Sequence, residues 1–141
     1  MISMNQKDRV IAEIIDFGKT SDYSEIVIDL TNRIYNEGFT LATNYDFSTP
    51  SLINWDKKVI SIFMKKKPLF IIADMFHEYG HLLLGYKGNT LDTIEIELSA
   101  WNLAFKEMSK YDFLQEYIND LMKYQEECIE NYRRNLKKPS T

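Results

Sequence analysis

The stretch "PLFIIADMFHEYGHLLLG", residues 68–85, sets the reading of the whole chain. Proline favours the first turn of a helix and glycine the position just past its end, so this spacing predicts a single helix over 68–84. The segment is apolar enough for a core, yet it carries His77, Glu78 and His81. Residues four apart lie one above the other on one helix face. His77 and His81 can therefore each offer an imidazole nitrogen to one ion. Glu78 is turned about 100° from His77 by the helix repeat, which puts it beside the ion position, where it can act on a bound water. Two ligands with a general base next to them is the physical content of an H-E-x-x-H segment.

A chance match is the bland alternative. The chain has two histidines in all, and both fall in this pattern. Two histidines placed at random give this spacing, with glutamate in the right slot, roughly once in a thousand. A glycine inside the helix, Gly80, costs about 1 kcal/mol relative to alanine. A second backbone that must approach closely would account for it.

Catalytic zinc usually has three protein ligands and one open position for water. No third histidine exists, so a carboxylate, or less plausibly Cys128, must complete the set. The next helical pattern, "LDTIEIELSAWNLAFKEM" from near Asp92 to about Met108, offers Glu95 and Glu97. They stand roughly 200° apart around a helix and cannot both face one ion. Asp92 and Glu95 have capping-box spacing, and Glu95 shares its stripe with Ser99, Asn102 and Lys106. Glu97 shares its stripe with Ala100, Trp101, Ala104 and Met108, whose two alanines permit close helix packing. Glu97 is the preferred ligand and Glu95 the runner-up.

Outward from this centre, Val10, Ile11, Ile14 and Ile15 recur at helical spacing, as do Ile26, Val27, Leu30 and Ile34, with Gly38 as a stop. "FTLATNY" and "KKVISIFM" are rich in β-branched and aromatic residues, and "DFSTPSLINWD" between them carries turn chemistry. They predict a small antiparallel sheet of two or three strands, in which 59–64 is either an edge bordering the cleft or an ordinary core strand with one charged rim. "GYKGNT" reads as a loop and Lys65–Lys67 as a solvated turn before the 68–84 helix. A last helix is expected over about Tyr111–Leu136, and 137–141 as a disordered tail.

The 141 residues suit one domain over 1–141. A net charge of −4 with dispersed lysines argues against a nucleic-acid surface. One cysteine, Cys128, excludes an internal disulfide and reads as a small buried or half-buried hydrophobe, not a nucleophile. No signal-like opening and no stretch of about 20 apolar residues is present. A cytoplasmic protein without a membrane span is expected.

"HEYGHLLLG" followed by Glu97-Leu-Ser-Ala100 resembles the ImmA/IrrE family of zinc-dependent metallopeptidases, over about residues 38–108. The family's asparagine and phenylalanine after that alanine are Trp101 and Leu103 here. The resemblance implies an α+β, zincin-like fold with Zn²⁺ on His77, His81 and Glu97. It also implies Glu78 as catalytic base in peptide-bond hydrolysis. The implied partner is a protein substrate such as a DNA-binding regulator. A tyrosine is the natural donor to the oxyanion, but nine tyrosines leave it unassigned. The rival reading is a non-proteolytic zinc-containing binding module. Its surface would be the stripe Leu114, Ile118, Leu121, Tyr124 and Cys128 on the last helix, although such a stripe more often packs on its own domain. Retention of Glu78 favours the enzyme, because a metal clamp needs no base.

Overall fold

In a computed structural model, which describes residues 5–85 and 93–137, eight regular elements follow in order. They are α1 (Gln6–Phe17), α2 (Ser24–Asn36), β1 (Thr40–Asn44), β2 (Leu52–Asn54), β3 (Val59–Phe63), α3 (Pro68–Leu84), α4 (Thr93–Met108) and α5 (Ile118–Lys137). The fold is α+β: five helices around a three-stranded sheet. None of the described helices is long and apolar enough to cross a membrane.

The helices of the first half follow the apolar spacing. Ile14 on α1, and Ile26, Leu30 and Ile34 on α2, are fully buried. Asn5 caps α1, its side chain accepting from the Asp8 N–H at 2.8 Å. Gly38, at φ +83°, turns the chain out of α2 into the sheet. α3 has the expected bounds, with Pro68 in its first turn and Gly85 at φ +82° beyond its end. It runs through the centre of the molecule, and Ile71, Ile72, Met75 and Phe76 on it are fully buried.

The sheet differs from the expectation. It is mixed, in the order β1-β3-β2, with β1 parallel to β3 and β2 antiparallel to β3. The turn chemistry of 45–51 does not close a hairpin. Asp46 accepts from the Ser48 N–H at 2.9 Å, and Asn44 Nδ2 donates to the Thr49 carbonyl at 2.7 Å, so the chain loops past β1. The tight turn comes later, where Asn54 Oδ1 accepts from the Lys57 N–H at 3.0 Å. β3 then folds back between its two partners. It is the central strand and not the edge; the edge on that side is β2.

The opposite edge is closed by side chains. Gln6 Nε2 donates to the Leu41 carbonyl at 2.9 Å, the Leu41 N–H donates to the Tyr35 hydroxyl at 3.3 Å, and Thr43 Oγ1 donates to Glu13 at 2.6 Å. These contacts occupy the backbone and flank of β1 that another strand would need.

Two further expectations are corrected. The last helix does not start at Tyr111. A 3₁₀ segment over Asp112–Tyr117 precedes α5, with the Tyr111 hydroxyl bonded to Asp29 and Leu114 buried. The apolar stripe of that region packs on its own domain, as such stripes more often do. Leu114, Leu121 and Tyr124 are buried, while Ile118 and Cys128 are half-buried. The Lys65–Lys67 turn does precede α3, but Lys66 is folded inward onto Asp74. The loop 86–90, Asp92 with its proposed cap, and the tail from 138 lie outside the described residues.

Candidate metal centre

Glycine and alanine bring two helices together at the H-E-x-x-H segment. A Cβ on Gly80 would stand 2.2 Å from the Ala100 carbonyl oxygen, a separation no real Cβ tolerates. Ala100 and Ala104 are fully buried at the crossing. The backbones of α3 and α4 therefore nearly touch, and a glutamate three residues before Ala100 can reach the histidines. Gly80→Ala is expected to force α4 outward. Helix propensity returns about 1 kcal/mol, but the clash is with backbone on both sides. A net loss of about 1–3 kcal/mol in urea unfolding is expected, with weaker metal uptake because Glu97 moves with α4. Unchanged unfolding would show slack in the crossing.

His77 and His81 project from α3 with ring centroids 4.7 Å apart. His77 Nε2 is 2.8 Å from Glu97 Oε2, and His81 Nε2 is 3.3 Å from the same carboxylate. Among the described residues these three form the one His/Cys/Asp/Glu group whose donor atoms all lie within 4.8 Å of one another, so they could hold a metal ion. Donors about 2.0–2.2 Å from a tetrahedral zinc stand roughly 3.3–3.6 Å apart. The His81–Glu97 spacing already falls in that range, and the His77–Glu97 spacing needs only a small outward adjustment. Glu95 is exposed and outside the group. Cys128 lines the cleft, but burial pushes its thiol up to about 11, which keeps it protonated and a poor ligand.

The charge states suit a ligand set. Burial holds His77 below its ordinary pKa, so at neutral pH its ring is uncharged with a lone pair available. Burial alone would raise Glu97, but the hydrogen bonds with His77 and His81 outweigh it and hold its carboxyl well below the usual range. Glu78 is buried, with Oε2 3.6 Å from His77 Nδ1. Its carboxyl is pushed well up, first by burial, then by the Asp74 and Glu97 carboxylates, with Lys66 opposing. A cation beside it would reverse that balance.

These groups lie along a cleft of about 450 Å³. Leu52 and Ile53 of edge strand β2 form one wall. Ile129 and Tyr132 of α5, with Thr93 and Ile96 of α4, form the other. Behind the site, Asp74 joins the walls to the floor. It accepts from Ser51 Oγ at 2.8 Å, Lys66 Nζ at 2.8 Å and the Tyr124 hydroxyl at 2.7 Å.

Sequence reasoning missed three of these features. Asp74 is a fourth ionisable group in the same apolar run, four residues before Glu78, and that was the available signal. Trp101, which also lines the cleft, and Tyr132 carried none, since an aromatic on a helix is usually core. Comparison with known proteins finds no matching family model, curated protein or solved structure.

Proposed function

We propose that this chain is a zinc-dependent endopeptidase of the ImmA/IrrE kind. The observation that carries the reading is the buried Glu78 beside the converged His77, His81 and Glu97, at the floor of a cleft bordered by an open strand edge. The donor set of two imidazoles and one carboxylate is that of a hydrolytic zinc site with an open position. A structural zinc site would close with a fourth protein ligand.

A zinc ion held there supplies Lewis acidity towards water and a carbonyl oxygen. The chain's own residues do the rest. Glu78 accepts a proton from the attacking water and returns it to the leaving nitrogen, one general base acting in both steps. Tyr132, half-buried in the cleft wall, is the hydroxyl available to donate to the oxyanion. Among the described residues β2 has no strand partner on its outer side, and Leu52 and Ile53 line the cleft, so an extended peptide can add there as a further strand. A DNA-binding regulator with an exposed extended segment, the substrate class of the resemblance, meets these demands. The stripe that a binding module would use is largely buried, with Ile118 and Cys128 half-buried, which supports the enzyme reading over that alternative.

The test is metal content by elemental mass spectrometry, followed by incubation of the loaded chain with a proteome-derived peptide mixture. About one zinc per chain and new peptide termini that vanish on chelation are expected. A chain that takes up no zinc, or that loads zinc and leaves the mixture intact, would sink the proposal.

A further inference from the structure

A metal-ligating imidazole is ordinarily held in plane by a hydrogen bond from its other nitrogen to a carboxylate or carbonyl. Among the described residues, no carboxylate or carbonyl stands within hydrogen-bond reach of the outer nitrogen of His77. Its Nε2 faces Glu97 at 2.8 Å, which leaves Nδ1 as the outer atom. The carboxylate beside Nδ1, Glu78 Oε2, stands 3.6 Å away. That is beyond hydrogen-bond reach, and Glu78 has other work in the proposed reaction.

A flat surface does hold the ring. The indole of Trp101 lies flat against the His77 imidazole, with centroids 4.3 Å apart and planes within 7°. Trp101 is 1% exposed and cannot swing away. Tyr124 packs edge-on against it at 6.2 Å, and Phe105 lies 6.0 Å away. Trp101 also sits one turn after Glu97 on α4, so one helix face delivers both the carboxylate ligand and the plate on which a histidine ligand rests. Rotation of the imidazole about its Cβ–Cγ bond would drive its edge into the indole. The electron-rich indole face further favours an imidazole that carries positive charge, as it does once its nitrogen is shared with a cation.

We infer that Trp101 is the positioning residue for His77: its stacked indole fixes the orientation of this ligand and favours its metal-bound state. The inference rests on the metal reading proposed above but not on peptide hydrolysis.

The test uses the full chain in Zn²⁺ and Co²⁺ titrations against a chromophoric chelator. Trp101→Leu fills much of the volume without a stacking face, and Trp101→Phe restores a face. Trp101→Leu is expected to weaken Zn²⁺ binding about 10–100-fold, the usual effect of losing a ligand's supporting partner, and to alter the Co²⁺ d–d spectrum. Trp101→Phe is expected to recover most of the affinity. A purely structural tryptophan would lower the melting temperature of both variants and leave metal affinity alone. Wild-type affinity in a folded Trp101→Leu chain overturns the inference. Should that variant fail to fold, NMR of the zinc-loaded wild type decides. The stack requires upfield ring-current shifts of the His77 carbon-bound ring protons, and unshifted protons would overturn it. If the wild-type chain binds neither metal, the metal reading fails first and the positioning role with it.

Discussion

Glu78→Gln is expected to keep the metal and lose hydrolysis, whereas Glu97→Gln loses both and Glu95→Gln loses neither. The three glutamates stand in three different environments. Glu78 is buried beside His77 but outside the ligand group, so an amide there changes no donor atom. What it removes is the proton acceptor, a contribution of about 10²–10⁴-fold in rate. Glu97 supplies a donor atom. A four-ligand zinc site is worth about 10–16 kcal/mol, or roughly 2.5–4 kcal/mol per ligand, so its loss weakens affinity on the order of 10²–10³-fold. Glu95 is exposed and touches neither histidine. Metal titration and peptide cleavage on the same three preparations separate these outcomes. Loss of metal in Glu78→Gln, or retention in Glu97→Gln, would reverse the assigned roles.

The same variant carries a sign that can be read without substrate. In the metal-free chain, burial and its acidic neighbours raise the Glu78 carboxyl above its unfolded value. The folded state then binds more protons than the unfolded state, and stability falls as pH rises from about 4.3, the unfolded pKa, towards the raised folded one. Glutamine removes that loss. Chelated Glu78→Gln should melt above chelated wild type at neutral pH, with the gap closing below about pH 4. An equal gap at all pH values would mean that it comes from packing.

How much of this was legible in the chain depends on how local each cause is. α3 was readable to the residue because proline, glycine and an apolar run fix it without reference to anything distant. Glu97 over Glu95 was readable because alanines on one stripe and polar residues on the other separate two faces of one helix. Gly80 signalled a close approach, and the Ala100 carbonyl is what approaches. Strand order was not readable. β1 and β3 are both short, and whether they run parallel depends on the path of the chain over 45–58, which periodicity does not encode. The partners of Asp74 lie 23, 8 and 50 residues away in sequence, and no local pattern announces them.

Asp74 is where the largest loss of stability is expected. Its carboxylate is buried, and Asp74→Ala strips a donor's partner from β2's approach, from the Lys66 turn and from α5 in one step. Ser51 Oγ also accepts from the Phe63 N–H at 2.8 Å, so its orientation loosens as well. Removing one member of a buried ion pair costs about 3–5 kcal/mol. Lys66 is about a quarter exposed and can turn towards water, which places Asp74→Ala near the lower end. Against a total of about 5–15 kcal/mol, that shifts a urea midpoint visibly. Adding Lys66→Met to Asp74→Leu should recover part of the loss, since an apolar pair leaves no charge stranded. The metal ligands come from α3 and α4 and do not hang on Asp74, so zinc affinity of the folded Asp74→Ala chain should match wild type. The cleft walls do hang on it, through Ser51 on one side and Tyr124 on the other. A variant that unfolds early yet binds zinc normally would show that the metal centre and the cleft are held by separate parts of the sequence. Loss of zinc in the folded variant would show instead that the Asp74 cluster also braces the ligand helices.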